Sequence, residues 1–195
     1  MRAVFLDKDG TLIEDVPYNV QPERMHLMPG AGAALRLLRD AGYTFFVVSN
    51  QAGVALGRFA EAELERVEQT LRQLLGEQDV RLTGFYYCPH HPAGTVASYS
   101  GQCTCRKPRP GLLRRAAAEH GVDLNASWLI GDILDDIEAG RRAGCRTVLL
   151  DNGHETEWRP GPGRRPHYVA RDLTEAASCI LSAPSAMSAD SVPCT

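Results

Sequence analysis

Two carboxylates stand two positions apart in Asp7-Lys8-Asp9-Gly10-Thr11, directly after the apolar run Ala3 to Leu6. In extended backbone that spacing turns both side chains to one face, so one can attack an electrophile while the other moves a proton. Phosphorus suits such a nucleophile when a metal ion screens the carboxylate's charge from the phosphate's. Alone, a solvated acidic turn before Gly10 accounts for the segment equally well. Three later segments supply the remaining needs of phosphoryl transfer. Ser49-Asn50-Gln51 offers a hydroxyl and backbone amides for phosphoryl oxygens, although by itself it reads as a turn. Lys107, in Arg106-Lys107-Pro108, brings an ammonium suited to developing phosphoryl charge, where an isolated basic pair would merely be solvated. Gly131-Asp132, with Asp135 and Asp136 just beyond, offers a hard oxygen ligand for magnesium, or else an acidic helix start.

A second cluster has the chemistry of zinc. Cys88-Pro89-His90-His91 and Cys103-Thr104-Cys105 form two close pairs across a loop, which predicts a tetrahedral site from Cys88, His90, Cys103 and Cys105, with His91 the rival to His90. Four protein ligands leave no open position, so the expected role is structural. Gly94, Gly101 and small polar residues give the loop little core, so its order is expected to come from the metal alone. Arg106 and Lys107 follow Cys105 directly, and fixing the loop would fix both cations.

The elements that must hold these residues are readable from periodicity. Strands are predicted at Ala3 to Leu6, Tyr43 to Ser49, Gly84 to Cys88, Ser127 to Gly131 and Arg146 to Leu150, with a weak one at His167 to Ala170. Helices are predicted at Ala31 to Ala41 with Leu35, Leu37 and Leu38 buried, and at Ala60 to Gly76 on Leu64, Val67, Leu71 and Leu74. Further helices follow at Leu112 to His120 with Pro110 an early helical residue, at Leu134 to Ala143, and near Leu173 to Leu181. Alternating strand and helix means an α/β fold, a Rossmann-like parallel sheet covered on both faces. Ligands of such sheets bind outside the carboxyl ends of the strands, where Asp7, Ser49 and Asp132 all fall.

The chain has 195 residues, a net charge of −3 and a pI near 6.1, the profile of one domain without a general grip on nucleic acid. One domain is expected over residues 1–182, with the zinc loop at about 88–105 and a disordered tail at 183–195. No apolar run is long enough to span a bilayer, and Asp7, Lys8 and Asp9 interrupt any signal peptide, so a cytoplasmic location is expected. In that reducing setting the six cysteines read first as thiols or ligands. Cys145 and Cys179 read as core or near-core residues and Cys194 as part of the tail, while His26 and His154 read as loop histidines. A monomer is the default, for want of any association signal.

Together, DKDGT, SN, RKP and GDILDD resemble the four motifs of the haloacid dehalogenase (HAD) superfamily, from Arg2 to about Leu150. The resemblance implies that Asp7 is the nucleophile, Asp9 the general acid and then base, and Ser49 and Lys107 phosphoryl stabilisers. It also implies magnesium held by Asp7, by the main-chain carbonyl of Asp9 and by Asp132, with Asp136 holding the geometry. The segments before Ser49 and Lys107 leave no room for a large cap domain, so substrate choice falls to the loops Ile13 to Met28 and Ala52 to Phe59 and to the zinc loop. YYCPHHP and CTCRKP are similar to the D-glycero-D-manno-heptose 1,7-bisphosphate 7-phosphatases, with histidinol-phosphate phosphatases as relatives. That likeness implies sugar-bisphosphate contacts from Asp15 to Tyr18, from Ser49 to Ala52 through Asn50 and Gln51, and from Arg106. Ile133 departs from it, standing where some members are expected to carry a basic residue. Histidinol phosphate, with a cation for Glu14 and Asp15, is the alternative substrate. A zinc-stabilised binding protein with no catalysis is the alternative of another class.

Overall fold

The structure is a computed structural model that describes residues 1–153 and 158–184. Expectations for His154, for Cys194 and for the tail from residue 185 therefore lie outside the described residues.

In chain order the elements are β1 (Ala3–Leu6), α1 (Ala31–Asp40), β2 (Thr44–Asn50), α2 (Ala52–Ala55), α3 (Glu63–Gly76), β3 (Leu82–Cys88), α4 (Gly111–His120), β4 (Trp128–Gly131), α5 (Leu134–Ala143), β5 (Arg146–Leu150), β6 (Tyr168–Ala170) and α6 (Leu173–Ser182). The strands form one sheet in the order β3-β2-β1-β4-β5-β6, every pair parallel. β1 lies between β2 and β4, so the chain winds outward one way from β1 and the other way from β4. The crevice at such a reversal opens at the carboxyl ends of its two strands, and those ends carry Asp7 and Asp132.

Strand periodicity divides the core in two. Val4, Leu6, Phe45, Val47, Trp128, Ile130 and Val148 pack on the side of α1, α3 and α6. Ala3, Phe5, Phe46, Val48 and Leu129 pack on the side of α4, with Ala139 of α5. β1, buried on both faces, consequently reads as an unbroken apolar run.

Several local expectations shift. Leu37 is 50% exposed, because α1 buries Ala31, Ala34, Leu35 and Leu38, a narrower stripe than a run of leucines implies. α3 begins at Glu63 and buries Leu75, with Leu74 only partly covered. Pro110 is the residue flanking α4, which starts at Gly111. α2, a single turn of small residues, carries too short a pattern to show in periodicity. Cys145 is buried, and burial pushes its thiol up to about 12. His26 is exposed. Among the described residues no helix is long and apolar enough to cross a membrane.

Candidate active site

The carboxyl end of β1 continues into a turn, not an extended segment. The N–H groups of Leu12 and Ile13 both donate to the carbonyl of Lys8, and Gly10, at φ 73, donates to Ile13. A Cβ on Gly10 would lie 2.2 Å from an Asp132 carboxylate oxygen, so a glycine at positive φ lets the turn after β1 pack against the Asp132 side chain. Asp7 is thus brought beside Asp132, and one carboxylate oxygen from each of Asp7, Asp132 and Asp136 lies within 4.8 Å of the others.

Lys107 reaches this cluster from the far side of the zinc loop. Its buried ammonium contacts Asp7 Oδ1 and Asp136 Oδ1 at 2.6 Å each and donates to the Val48 carbonyl at 2.9 Å. Asn50 holds the same residue by its backbone, accepting from Lys107 N at 3.0 Å and donating to Lys107 O at 3.1 Å. Burial alone would lower the ammonium's pKa, but Asp136 and Asp7 together raise it above its ordinary value.

One ammonium does not neutralise three buried carboxylates. Burial, then the Asp7 charge and the Asp136 charge, push Asp132 up to about 8, while burial and Asp7 push Asp136 up to about 7 against the pull of Lys107. Crowded hard oxygens short of positive charge fit a divalent cation such as magnesium. A carboxyl whose folded pKa is raised binds more protons folded than unfolded, so stability falls as pH rises through that interval. Metal-free protein should therefore melt at lower temperature at about pH 8.5 than at about pH 6, and magnesium should flatten the difference. Calorimetry with chelator in the buffer checks this, and a melting point that climbs over the same window would contradict it.

Asp9 is held apart from this cluster. Its Oδ1 accepts from the Lys8 ammonium at 2.6 Å, and its Oδ2 lies 3.5 Å from Gln51 Nε2. Burial raises its pKa, with Lys8 opposing, which favours a carboxyl able to carry a proton. Gln51 Nε2 also donates to Ser49 Oγ at 2.8 Å, so the Ser49 hydroxyl keeps its own proton to donate.

The remaining predicted residues are less tightly gathered. Asp15 is exposed, and Tyr18 is 50% exposed at φ 55 with the Arg58 guanidinium 5.7 Å above its ring. Asn50 spends both ends of its amide on Lys107, so its side chain is a strut. Arg106 donates from Nη1 to the His90 carbonyl at 3.5 Å and lines a groove of about 370 Å³ with Arg109, Asp135 and Arg142. Residues that sequence reasoning missed also converge here. Lys8 is buried, Asn152 donates to the Gly10 carbonyl at 2.7 Å, and the Trp158 indole donates to the Asp132 carbonyl at 2.9 Å. Arg164 binds Asp135 and Glu138 at 2.7 Å each. Nothing in a loop rich in Gly, Pro and Arg marks these as partners of the strand ends.

The second cluster lies at the end of β3. Donor atoms of Cys88, His90, Cys103 and Cys105 all lie within 4.8 Å of one another. Cys88 Sγ is 3.5 Å from Cys103 Sγ and 2.9 Å from Cys105 Sγ, and His90 Nδ1 is 3.7 and 3.5 Å from Cys88 and Cys105. No disulfide joins them, and three sulfurs with one imidazole nitrogen are the donor set that suits zinc. His91 points elsewhere, its Nδ1 accepting from Ala93 N. The loop does have support besides a metal: Thr95 N and Val96 N both donate to the Ala55 carbonyl, and Tyr99 Oη donates to Glu61 at 2.6 Å. The expectation that metal alone orders it is corrected accordingly, since α2 and Glu61, just ahead of α3, anchor its far limb.

A HAD-hydrolase-like family model matches residues 104–176. D-glycero-beta-D-manno-heptose-1,7-bisphosphate 7-phosphatase of Salmonella typhi is 40% identical over 148 residues, 76% of this chain and 79% of that protein. The chain belongs to the heptose-1,7-bisphosphate 7-phosphatase family of HAD-like hydrolases. The family spans both anomeric labels: the D-glycero-alpha-D-manno-heptose-1,7-bisphosphate 7-phosphatase of Photorhabdus laumondii is 36% identical over 157 residues, 80% of this chain and 86% of that protein. The crystal structure of D,D-heptose 1,7-bisphosphate phosphatase from B. bronchiseptica, complexed with magnesium and phosphate, superposes with a TM-score of 0.77 at 31% identity, covering 93% of this chain and 98% of that one. This member of the family is accordingly a phosphatase with a HAD-type parallel sheet.

Proposed function

We propose that the chain is a magnesium-dependent phosphomonoesterase that removes the 7-phosphate of D-glycero-D-manno-heptose 1,7-bisphosphate through a phosphoryl-aspartate on Asp7. The observation that carries this reading is Lys107 bridging Asp7 and Asp136 beside Asp132, with Asp9 held separately. Among the described residues the Asp7 side chain bonds only Lys107, through Oδ1, which leaves Oδ2 to attack phosphorus. As the bond from phosphorus to the sugar oxygen breaks, Asp9 delivers its proton to that oxygen. In the second step Asp9 takes a proton from the attacking water, and the bond from phosphorus to Asp7 breaks to release phosphate. The Ser49 hydroxyl and the Lys107 ammonium face the phosphoryl oxygens.

Asp7, the main-chain carbonyl of Asp9 and Asp132 would hold magnesium, which supplies charge screening for the anionic nucleophile and substrate. Cys88, His90, Cys103 and Cys105 would hold a structural zinc. The substrate's second phosphate suits Arg106, whose planar fork matches phosphate oxygens, in a groove where Arg109 and Arg142 are already engaged by Cys103 and Gln102 and by Glu138. Asp15 and Tyr18 would close over the sugar.

Phosphate release with magnesium, measured on both heptose bisphosphate anomers and on histidinol phosphate, tests the reading. One bisphosphate anomer should lead histidinol phosphate in kcat/KM by tenfold or more, about 1.4 kcal/mol of discrimination, with the 1-phosphate retained in the product. Histidinol phosphate leading by that margin would overturn the substrate, and turnover unchanged by chelator would overturn the metal dependence.

A further inference from the structure

Lys8 has no part in the chemistry set out above, yet it is a second buried lysine beside it. It is 1% exposed, among the largest fully buried residues, and lysines are rarely buried unless paired. Its partner is Asp9 Oδ1 at 2.6 Å. The turn after β1 makes this contact possible: with its carbonyl accepting from Leu12 N and Ile13 N, Lys8 sits where its side chain can fold back onto its neighbour. The two reacting carboxylates therefore have separate cations, Lys107 for Asp7 and Lys8 for Asp9. Among the described residues Asp9 is tied on its other side only by the 3.5 Å approach of Gln51 to Oδ2.

We infer that Lys8 is a positioning residue that pins Asp9 Oδ1 so that Oδ2 faces the water attacking the phosphoryl-aspartate. The inference rests on the proposed two-step reaction. In the second step the water oxygen bonds phosphorus, its proton passes to Asp9 Oδ2, and the bond between phosphorus and Asp7 breaks with its electron pair returning to Asp7. A carboxylate free to rotate would meet that water in the wrong orientation, and the phosphoryl-enzyme would persist. With a nitrophenyl ester the first step needs no proton from Asp9, because the phenolate leaves unassisted, and Asp9 gives its proton to solvent before the second step. That substrate separates the two steps.

The experiment is rapid-mixing hydrolysis of p-nitrophenyl phosphate by the full chain with magnesium, comparing the unaltered protein with Lys8→Met and Lys8→Arg. Lys8→Met should show a nitrophenolate burst approaching one per protein molecule, followed by steady turnover at least tenfold slower, with acid-stable label from 32P substrate trapped on Asp7. Lys8→Arg should restore most of the steady rate. A melting curve recorded on each variant identifies a misfolded one independently of the burst, and the Lys8→Arg rates then decide. Burst and steady rates falling together in folded protein, or neither changing, would overturn the inference. Failure of the proposed reaction itself is distinct: the unaltered protein would then form no Asp7-linked label under any condition.

Discussion

Asp7→Asn is expected to lose roughly ten-thousand-fold or more in turnover while the protein stays folded, the scale seen when a nucleophile is removed from a covalent mechanism. An amide cannot form the phosphoryl bond, and the neighbours cannot substitute: Asp136 is fully buried, and Asp132 accepts from Thr11 Oγ1. The stability side is as informative. Asp7 is one of three buried carboxylates sharing a single ammonium, so neutralising it relieves repulsion on Asp132 and Asp136, and Lys107 keeps Asp136 as its partner. In chelator the variant should therefore melt no lower than the unaltered protein, and the advantage should shrink when magnesium is added. Phosphate release and a melting curve with and without magnesium read both effects. Residual turnover within tenfold of the original would remove Asp7 from the chemistry, and a markedly lower melting point in chelator would mean that its charge supports the fold.

Loss of the zinc site is expected to cut more unevenly. Purified protein should carry close to one zinc per chain, and Cys103→Ser with Cys105→Ser should abolish it. Arg106 follows Cys105 directly, its N–H approaching Cys103 Sγ at 3.3 Å, so its position depends on the cluster. Lys107 does not, because Asp7, Asp136, Val48 and Asn50 all hold it from the core. The double variant should accordingly keep p-nitrophenyl phosphate turnover within a few fold. KM for the bisphosphate should rise by about a hundredfold, the cost of a displaced binding group. Hydrogen exchange should quicken over residues 88–94 and 101–106 more than at Thr95 and Val96, which the Ala55 carbonyl keeps. Full activity on the bisphosphate in zinc-free protein would show that the loop stands without metal.

The parts of the fold that the sequence made legible are those governed by burial alone. β1 and β4 read as apolar runs because both faces are covered, and Asp7 and Asp132 are identifiable because a polar residue ending such a run sits at the strand's carboxyl end. Leu37 and Leu74 misled because a leucine at nearly the right angle on a helix looks like a core residue until the packing partner is known. Side-chain direction was the larger gap. Asn50 stands beside Ser49 at the end of β2, yet its amide braces Lys107, a choice set by residues 57 positions away. Lys8 reads as part of a polar interruption because periodicity cannot show that the chain turns and lets a lysine fold back on its neighbour. Trp158 and Asn152 belong to a segment whose composition says only loop, and their contacts with Asp132 and Gly10 exist only once β5 has brought them alongside.

The division between strand ends and loops bears on how such enzymes diversify. Every group placed on the phosphoryl centre stands at or beside a strand end or is pinned to one by core contacts, as Lys107 is to Val48. The groups assigned to the sugar, from Asp15 to Tyr18 and at Arg106, lie on segments that cross the rim, with Asp15 and Tyr18 open to solvent. On the proposed assignment, substitutions on the rim would alter recognition of the anomeric carbon while the hydrolytic core stays unaltered.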